Sequence, residues 1–85
     1  MNKPLNCSLY FTSGSSDKEY HISLEEDNNG WVVNFKYGRR GNANNAGTKT
    51  PSPVSYESAL DVYNKLVNEK VRKGYVPDTS GAVFQ

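Results

Sequence analysis

An aromatic ring and two guanidinium groups stand together in the segment Tyr37-Gly38-Arg39-Arg40-Gly41. Arginine presents a planar fork of donors that can hold a phosphate through two hydrogen bonds. An aromatic ring beside it can pack on a base or a sugar, and glycine lets the backbone approach a ligand closely. Tyr37, Gly38, Arg39 and Arg40 are therefore predicted to bind the end or the backbone of a nucleic acid.

The distribution of charge is more informative than the net charge of +1. Four basic residues and no acidic ones lie between Lys36 and Lys49, whereas Asp17–Asp27 holds five acids and only Lys18 as a base. A local positive patch can steer an anion even when the total charge is near zero, so we add Lys49 to the predicted contacts. The same charges are also typical of solvated strand faces and loops, and that alternative stays open.

The remaining reactive side chains do not form a catalytic set. His21 is the single histidine and lies on the polar face of a predicted strand beside Glu25, where a solvated imidazole is expected. Cys7 is the single cysteine, and we expect it to be packed in the core. Neither a nucleophile–histidine–acid set nor a metal site can be assembled from these residues. We therefore expect a binding module that is not an enzyme and needs no cofactor or metal.

Two runs of alternating polarity predict an antiparallel hairpin. Within Lys18–Glu26, every second residue from Tyr20 to Leu24 is apolar, and the same period returns in Trp31–Tyr37. The turn Asp27–Gly30 between them is rich in asparagine and glycine, which accept positive φ. Tyr37 falls on the face of the other apolar residues of its run, so its ring also fits a purely structural role in closing the core.

Three further segments complete the predicted sheet and its connections. Cys7–Thr12 contains strand formers, and Thr48–Val54 reads as a short edge strand because it holds two prolines. The segment Gly38–Gly47 between the hairpin and that edge strand is rich in glycine and asparagine and is predicted to be a mobile loop.

One amphipathic helix follows. Ser55 is a suitable N-cap, apolar residues recur at helical spacing from Tyr56 to about Lys73, and Gly74 is a stop signal. The basic residues at its end suit the negative pole of the helix dipole, and we favour that role for Lys70 over contact with DNA. The predicted fold is α+β: a small antiparallel sheet of about four strands with one C-terminal helix packed across one face.

Length and composition set the organisation of the chain. Eighty-five residues make one domain, which we place at residues 7–75, with a flexible N-terminus at 1–6 and a tail or linker at 76–85. The sequence has no apolar stretch long enough to span a membrane and no signal-peptide pattern. A lone cysteine fits a reducing compartment, so a cytoplasmic location is expected.

The sequence resembles the WGR domain, a family named for a Trp-Gly-Arg motif. Four segments match in order: Lys18–Leu24 resembles the family's second strand, Tyr37–Gly41 its motif, Ser55–Ala59 the start of its helix and Glu69–Tyr75 its end. Tyr37 replaces the eponymous tryptophan, Arg40 replaces an aliphatic residue, and the segment Asn42–Gly47 is longer than is usual in the family.

The resemblance implies a function. WGR domains occur in DNA-dependent poly(ADP-ribose) polymerases, where they hold a DNA break, and similar domains occur in bacteria alone or beside nucleic-acid-processing enzymes. By position, Tyr37 would pack on the terminal sugar or base, Arg39 would hold the 5′-phosphate, and Lys18 would be a weaker phosphate contact. The resemblance thus implies a DNA-binding module that recognises ends, nicks or 5′-phosphates, and we expect the chain to be a monomer. The alternative is a regulatory module that docks on a protein partner or on a fused catalytic domain.

Overall fold

The computed structural model of the protein describes residues 2–78. One antiparallel five-stranded sheet, in the order β4-β3-β2-β1-β5, is crossed on one face by a single helix. The elements are β1 Leu5–Ser13, β2 Ser16–Asp27, β3 Gly30–Arg39, β4 Asn42–Thr48, α1 Tyr56–Arg72 and β5 Val76–Pro77. This arrangement confirms the predicted α+β class with its four main strands.

The core lies between the helix and one face of the sheet. The alternating residues of β2 and the first two of β3 are buried there as predicted, and Leu24 and Val33 lie directly opposite each other with no exposed surface. The helix contributes its predicted apolar stripe, with Tyr63 at the centre and fully buried. Cys7 on β1 is also buried, which confirms its expected role in packing. Burial in turn raises the pKa of the Cys7 thiol.

The β2–β3 hairpin forms as predicted, but the asparagines of its turn do not have the positive φ that this residue type can accept. Asp27 lies opposite Gly30, so two asparagines make the turn. Only glycines have positive φ among residues 2–78, and Gly30 has φ +149°. A Cβ on Gly30 would lie 2.7 Å from the carbonyl oxygen of Val54, so this position requires glycine both for its conformation and for close backbone approach.

The helix begins and ends where its sequence signals indicate. The Ser55 side chain accepts a hydrogen bond from the backbone N–H of Ser58 at 3.2 Å, as an N-cap does. Lys73 is the C-cap, and Gly74 follows with φ +105°, the conformation that commonly ends a helix.

The prediction of a mobile loop at Gly38–Gly47 is wrong. β3 continues to Arg39 and β4 pairs with it in an antiparallel ladder, with Phe35 opposite Gly47 and Tyr37 opposite Asn45. Backbone hydrogen bonds to a neighbouring strand need no apolar side chains, so a polar, glycine-rich segment can form an edge strand. The residues of β4 are mostly exposed, which explains why it lacks the usual strand composition.

The predicted edge strand at Thr48–Val54 is also wrong. Thr48 is instead the last residue of β4, opposite Asn34, and Val54 pairs with β3 only through an isolated bridge to Trp31. Between them Thr50 is buried, and its hydroxyl accepts a 2.9 Å hydrogen bond from the backbone N–H of Val33. The prolines at 51 and 53 interrupt any ladder because they have no N–H to donate.

Pairing at both ends reaches slightly past the domain limits expected from sequence. β1 begins at Leu5, and Val76–Pro77 pairs with Leu9 and Tyr10 at the far edge of the sheet. The predicted boundaries at 7 and 75 stay predictions, and residues 79–85 of the expected tail lie outside the described residues. No helix within residues 2–78 is long and apolar enough to cross a membrane.

Candidate functional site

A cleft of about 540 Å³ opens where β2 begins, β3 ends and α1 reaches its last turn. Lys18 and Arg39 face each other across the β2–β3 pair, so the antiparallel register brings together two cations far apart in sequence. We call this site the cationic cleft. It is lined by Lys18, Tyr20, Phe35, Tyr37, Gly38, Arg39, Asn45, Lys70 and Tyr75.

Three stacked rings form the floor of the cationic cleft. Tyr20 lies between Phe35 and Tyr37, with ring centroids at 5.7 and 5.4 Å and interplanar angles of 15° and 16°. Tyr20 is buried and its pKa is raised to about 12, first by burial, so its hydroxyl is neutral at physiological pH. Tyr37 is 40% exposed. Its ring therefore extends the core stack into solvent and does more than close the core.

Lys70 is a third cation in the cationic cleft. Its ammonium nitrogen lies 4.4 Å from the centroid of the Tyr20 ring, and its side chain is only 15% exposed. Burial is the main cause that lowers its pKa, and the neighbouring Lys73 and Lys49 act in the same direction against the opposing effect of Glu69. A partly desolvated ammonium attracts an anion more strongly than a fully hydrated one, because the effective dielectric constant around it is lower.

Lys70 was not among the residues that the sequence indicated for binding. Basic residues are common in the last turn of helices, so the dipole explanation was sufficient for it. The position of Lys70 over Tyr20 depends on how the helix crosses the sheet, and the 3.6-residue period of the helix does not contain that information. Tyr75 was also missed. It lies just past the helix stop, with its ring 6.0 Å from that of Tyr20.

Two glycines shape the backbone around Arg39. A Cβ on Gly38 would lie 2.5 Å from the carbonyl oxygen of Asn42, a backbone atom, so the close return of β4 requires glycine at this position. Gly41 has φ +82° and forms the β3–β4 turn. The Gly38 of the aromatic-Gly-Arg motif therefore allows the tight turn that follows Arg39.

Arg40 is placed outside the cationic cleft. Its Nε donates to Asp17 Oδ1 at 2.8 Å, and its guanidinium carbon lies 4.3 Å from the centroid of the Tyr10 ring. Tyr10 lies on the sheet face that the helix leaves uncovered, as alternation along β1 requires. The hydrogen bond to Arg40 is the first cause that lowers the pKa of Asp17. The structure thus separates two consecutive arginines onto opposite faces.

Lys49 lies at the margin of the cationic cleft. Its ammonium nitrogen is 5.8 Å from the centroid of the Phe35 ring, and it is close enough to Lys70 to contribute to the lowered pKa of that residue. Of the six residues indicated by sequence, the structure brings together Lys18, Tyr37, Gly38 and Arg39, places Lys49 nearby and leaves Arg40 elsewhere.

His21 is held in a polar network on the uncovered face and is less solvated than expected. Its Nδ1 lies 2.8 Å from Ser8 Oγ, and its Nε2 lies 3.2 Å from Glu19 Oε1. The other carboxylate oxygen of Glu19 accepts a 3.0 Å hydrogen bond from the backbone N–H of Gly41. The network therefore ties the β3–β4 turn to β2 on the side opposite the cationic cleft.

Comparison with known proteins identifies the family. No curated protein and no solved structure gives a significant match to the chain. The family model of the WGR domain matches residues 5–82 of the 85 residues, a range that includes the sheet, the helix and the whole cationic cleft. The chain therefore belongs to the WGR domain family, whose members are nucleic-acid-binding modules and not catalytic domains.

Proposed function

We propose that the chain binds DNA ends, nicks or 5′-phosphates through the cationic cleft. The observation that carries the proposal is the exposed Tyr37 ring, which is stacked on Tyr20 and surrounded by the cations Lys18, Arg39 and Lys70. An exposed aromatic plane next to several phosphate-binding cations matches the two chemical parts of a nucleotide, its base or sugar and its phosphate.

Each side chain has a distinct role in this proposal. Tyr37 packs on the terminal sugar or base, and its own position is fixed from below by Tyr20. Arg39 holds the phosphate through its planar fork of donors, while Lys18 and Lys70 add point charges. At a DNA terminus, one face of the last base and the terminal phosphate are both exposed. In a continuous duplex, that base face is covered by the next base pair and the phosphate is part of the backbone. The cleft therefore favours an end or a nick.

The proposal predicts binding that depends on the 5′-phosphate. Fluorescence anisotropy of a labelled nicked duplex, prepared with and without the 5′-phosphate at the nick, measures that dependence directly. We expect tighter binding of the phosphorylated nick, because its phosphate adds negative charge next to Arg39 and Lys70. Equal affinity for both duplexes and for an intact one would contradict recognition of a nick.

Salt dependence reports how many cations engage the DNA. Each neutralised phosphate contributes a slope of about −0.9 to the plot of log affinity against log salt on duplex DNA. Three contacts, from Lys18, Arg39 and Lys70, therefore predict a slope of roughly −3. An affinity that does not change as salt rises would contradict phosphate binding by the cleft.

A further inference from the structure

The outer edge of β4 is an unpaired strand with an unusual composition. β4 is the first strand in the order β4-β3-β2-β1-β5, and within residues 2–78 no other strand pairs with its outer side. An open edge is a template for another strand. Natural proteins usually protect such edges with charged residues or prolines, and the seven residues of Asn42–Thr48 include neither.

The backbone groups that face outward from β4 can be assigned from its register. The backbone N–H of Lys49 donates to the carbonyl of Val33 at 2.9 Å. Because hydrogen-bonded pairs alternate along an antiparallel ladder, Gly47 and Asn45 bond to β3 in the same way. The residues between them, Ala46 and Thr48, point their N–H and C=O groups away from the sheet, whereas beyond Asn45 the register shifts and this alternation ends.

We propose that two copies of the chain pair through β4, antiparallel about a two-fold axis at Ala46. In this register the outward N–H and C=O groups of Ala46 bond to Ala46 of the second copy, and Thr48 lies opposite Asn44. The interface is isologous, as two-fold dimers require. All the paired side chains of this stretch are small and uncharged, so no like charges meet across the axis.

The fold restricts where such pairing can occur. At the opposite edge of the sheet, β5 is two residues long and includes Pro77, which has no N–H to donate. Next to β4, Pro51 and Pro53 end the stretch that can pair, which limits slippage of the register. The proposal therefore places the second copy at β4, and such a dimer differs from the monomer expected from sequence.

The symmetry of the pairing determines where the two binding sites lie. A two-fold axis normal to the sheet keeps the helix face of both copies on the same side. Asn45 lines the cationic cleft from β4 itself, so both clefts flank the axis and open in one direction. Such a dimer presents two sites side by side, although the pairing does not depend on what those sites bind.

The test is the molecular mass of the full chain, freed of nucleic acid, measured by light scattering over a range of concentrations. We expect the mass to rise with concentration to twice the 9.5 kDa of the chain. Ala46→Pro removes an outward N–H without disturbing the ladder to β3. Ala46→Asp places two carboxylates at the axis, while Lys36 lies directly opposite within the same chain and favours an acid there.

Both variants are expected to stay at 9.5 kDa at concentrations where wild type is dimeric, with circular dichroism unchanged. Asn44→Asp is the matched control, because it adds the same charge on β4 opposite Thr48 of the second copy, and it should dimerise like wild type. A wild-type mass that stays at 9.5 kDa at every concentration would overturn the proposal. A dimer that survives both Ala46 variants would also overturn it, because the copies would then meet elsewhere.

Discussion

The ring of Tyr37 stacks on the ring of Tyr20, with centroids 5.4 Å apart and planes 16° from parallel. Tyr20 is anchored in the core at 5% exposure, whereas Tyr37 is 40% exposed. One face of the outer ring is therefore held by the core, which limits its motion before any ligand arrives. A fixed aromatic surface loses less entropy on binding a base than a mobile one does.

Tyr37→Ala is expected to weaken DNA binding by about 1–3 kcal/mol, the usual range for the loss of one base–aromatic stack. Tyr37→Trp should restore or improve affinity because it enlarges the ring. Fluorescence anisotropy on a phosphorylated nicked duplex measures both. Tyr10→Ala is the matched control, since Tyr10 lies on the uncovered face beneath Arg40. An equal loss in the Tyr10 and Tyr37 variants would argue against a site at Tyr37.

Lys70→Met is expected to reduce DNA affinity roughly tenfold to a hundredfold, the range for losing one hydrogen bond to a charged group. Lys65→Met is the control: this lysine is on the same helix, is 78% exposed and pairs with Asp61. We expect nearly wild-type affinity for the control. If the two variants bound equally well, Lys70 would have only a structural role.

Lys70→Met is expected to weaken DNA binding without lowering the stability of the fold. Burial lowers the pKa of Lys70 from its ordinary 10.5 in the folded chain. At pH values between that lowered pKa and 10.5, Lys70 is protonated more fully in the unfolded chain than in the folded one. The free energy of unfolding of wild type therefore rises with pH across this range. Urea denaturation should show that Lys70→Met lacks this gain and unfolds at pH 7 no more easily than wild type. A large loss of stability at pH 7 would contradict the desolvation of Lys70.

Arg40→Ala is expected to raise the pKa of the Asp17 carboxyl toward its ordinary value of 3.8, because the hydrogen bond from Arg40 is the main cause of its depression. NMR titration of the carboxyl carbon measures this shift. Arg39→Ala should leave the pKa of Asp17 unchanged, since Arg39 lies in the cationic cleft. A change of equal size in both variants would contradict the separation of the two arginines.

Tyr63→Phe is expected to leave the free energy of unfolding unchanged or to raise it by up to about 1 kcal/mol. Tyr63 is fully buried, and its hydroxyl has no hydrogen-bond partner among residues 2–78. Removing an unpaired buried hydroxyl removes a desolvation cost while the ring keeps its packing. Urea denaturation measures the change, and a loss above about 1 kcal/mol would indicate a bonded hydroxyl.

The alternating segments and the helix could be predicted because burial leaves a period in the sequence. Leu24 and Val33 show that period clearly, and the helix is bounded by Ser55 and Gly74. β4 could not be predicted in this way. It is held by backbone bonds to β3 at an exposed edge, so its side chains do not need to be apolar.

The cationic cleft was predicted only in part for a related reason. Tyr37, Gly38 and Arg39 are consecutive, and Lys18 follows from the family resemblance. Lys70 reaches the cleft through the crossing of the helix over the sheet, which no local pattern encodes. Arg40 lies outside the cleft because the β3–β4 turn directs its side chain to Asp17. The β3–β4 register also shifts just before this turn, between Tyr37 and Arg39.

The adjacent arginines provide the most direct test of the proposed site. Affinity for a nicked duplex carrying a 5′-phosphate should be measured by fluorescence anisotropy for Arg39→Ala and Arg40→Ala, which remove the same charge from neighbouring positions. We predict that Arg39→Ala loses most of the phosphate-dependent binding, whereas Arg40→Ala keeps affinity close to that of wild type. Equal losses in the two variants, or a greater loss in Arg40→Ala, would contradict DNA recognition through the cationic cleft.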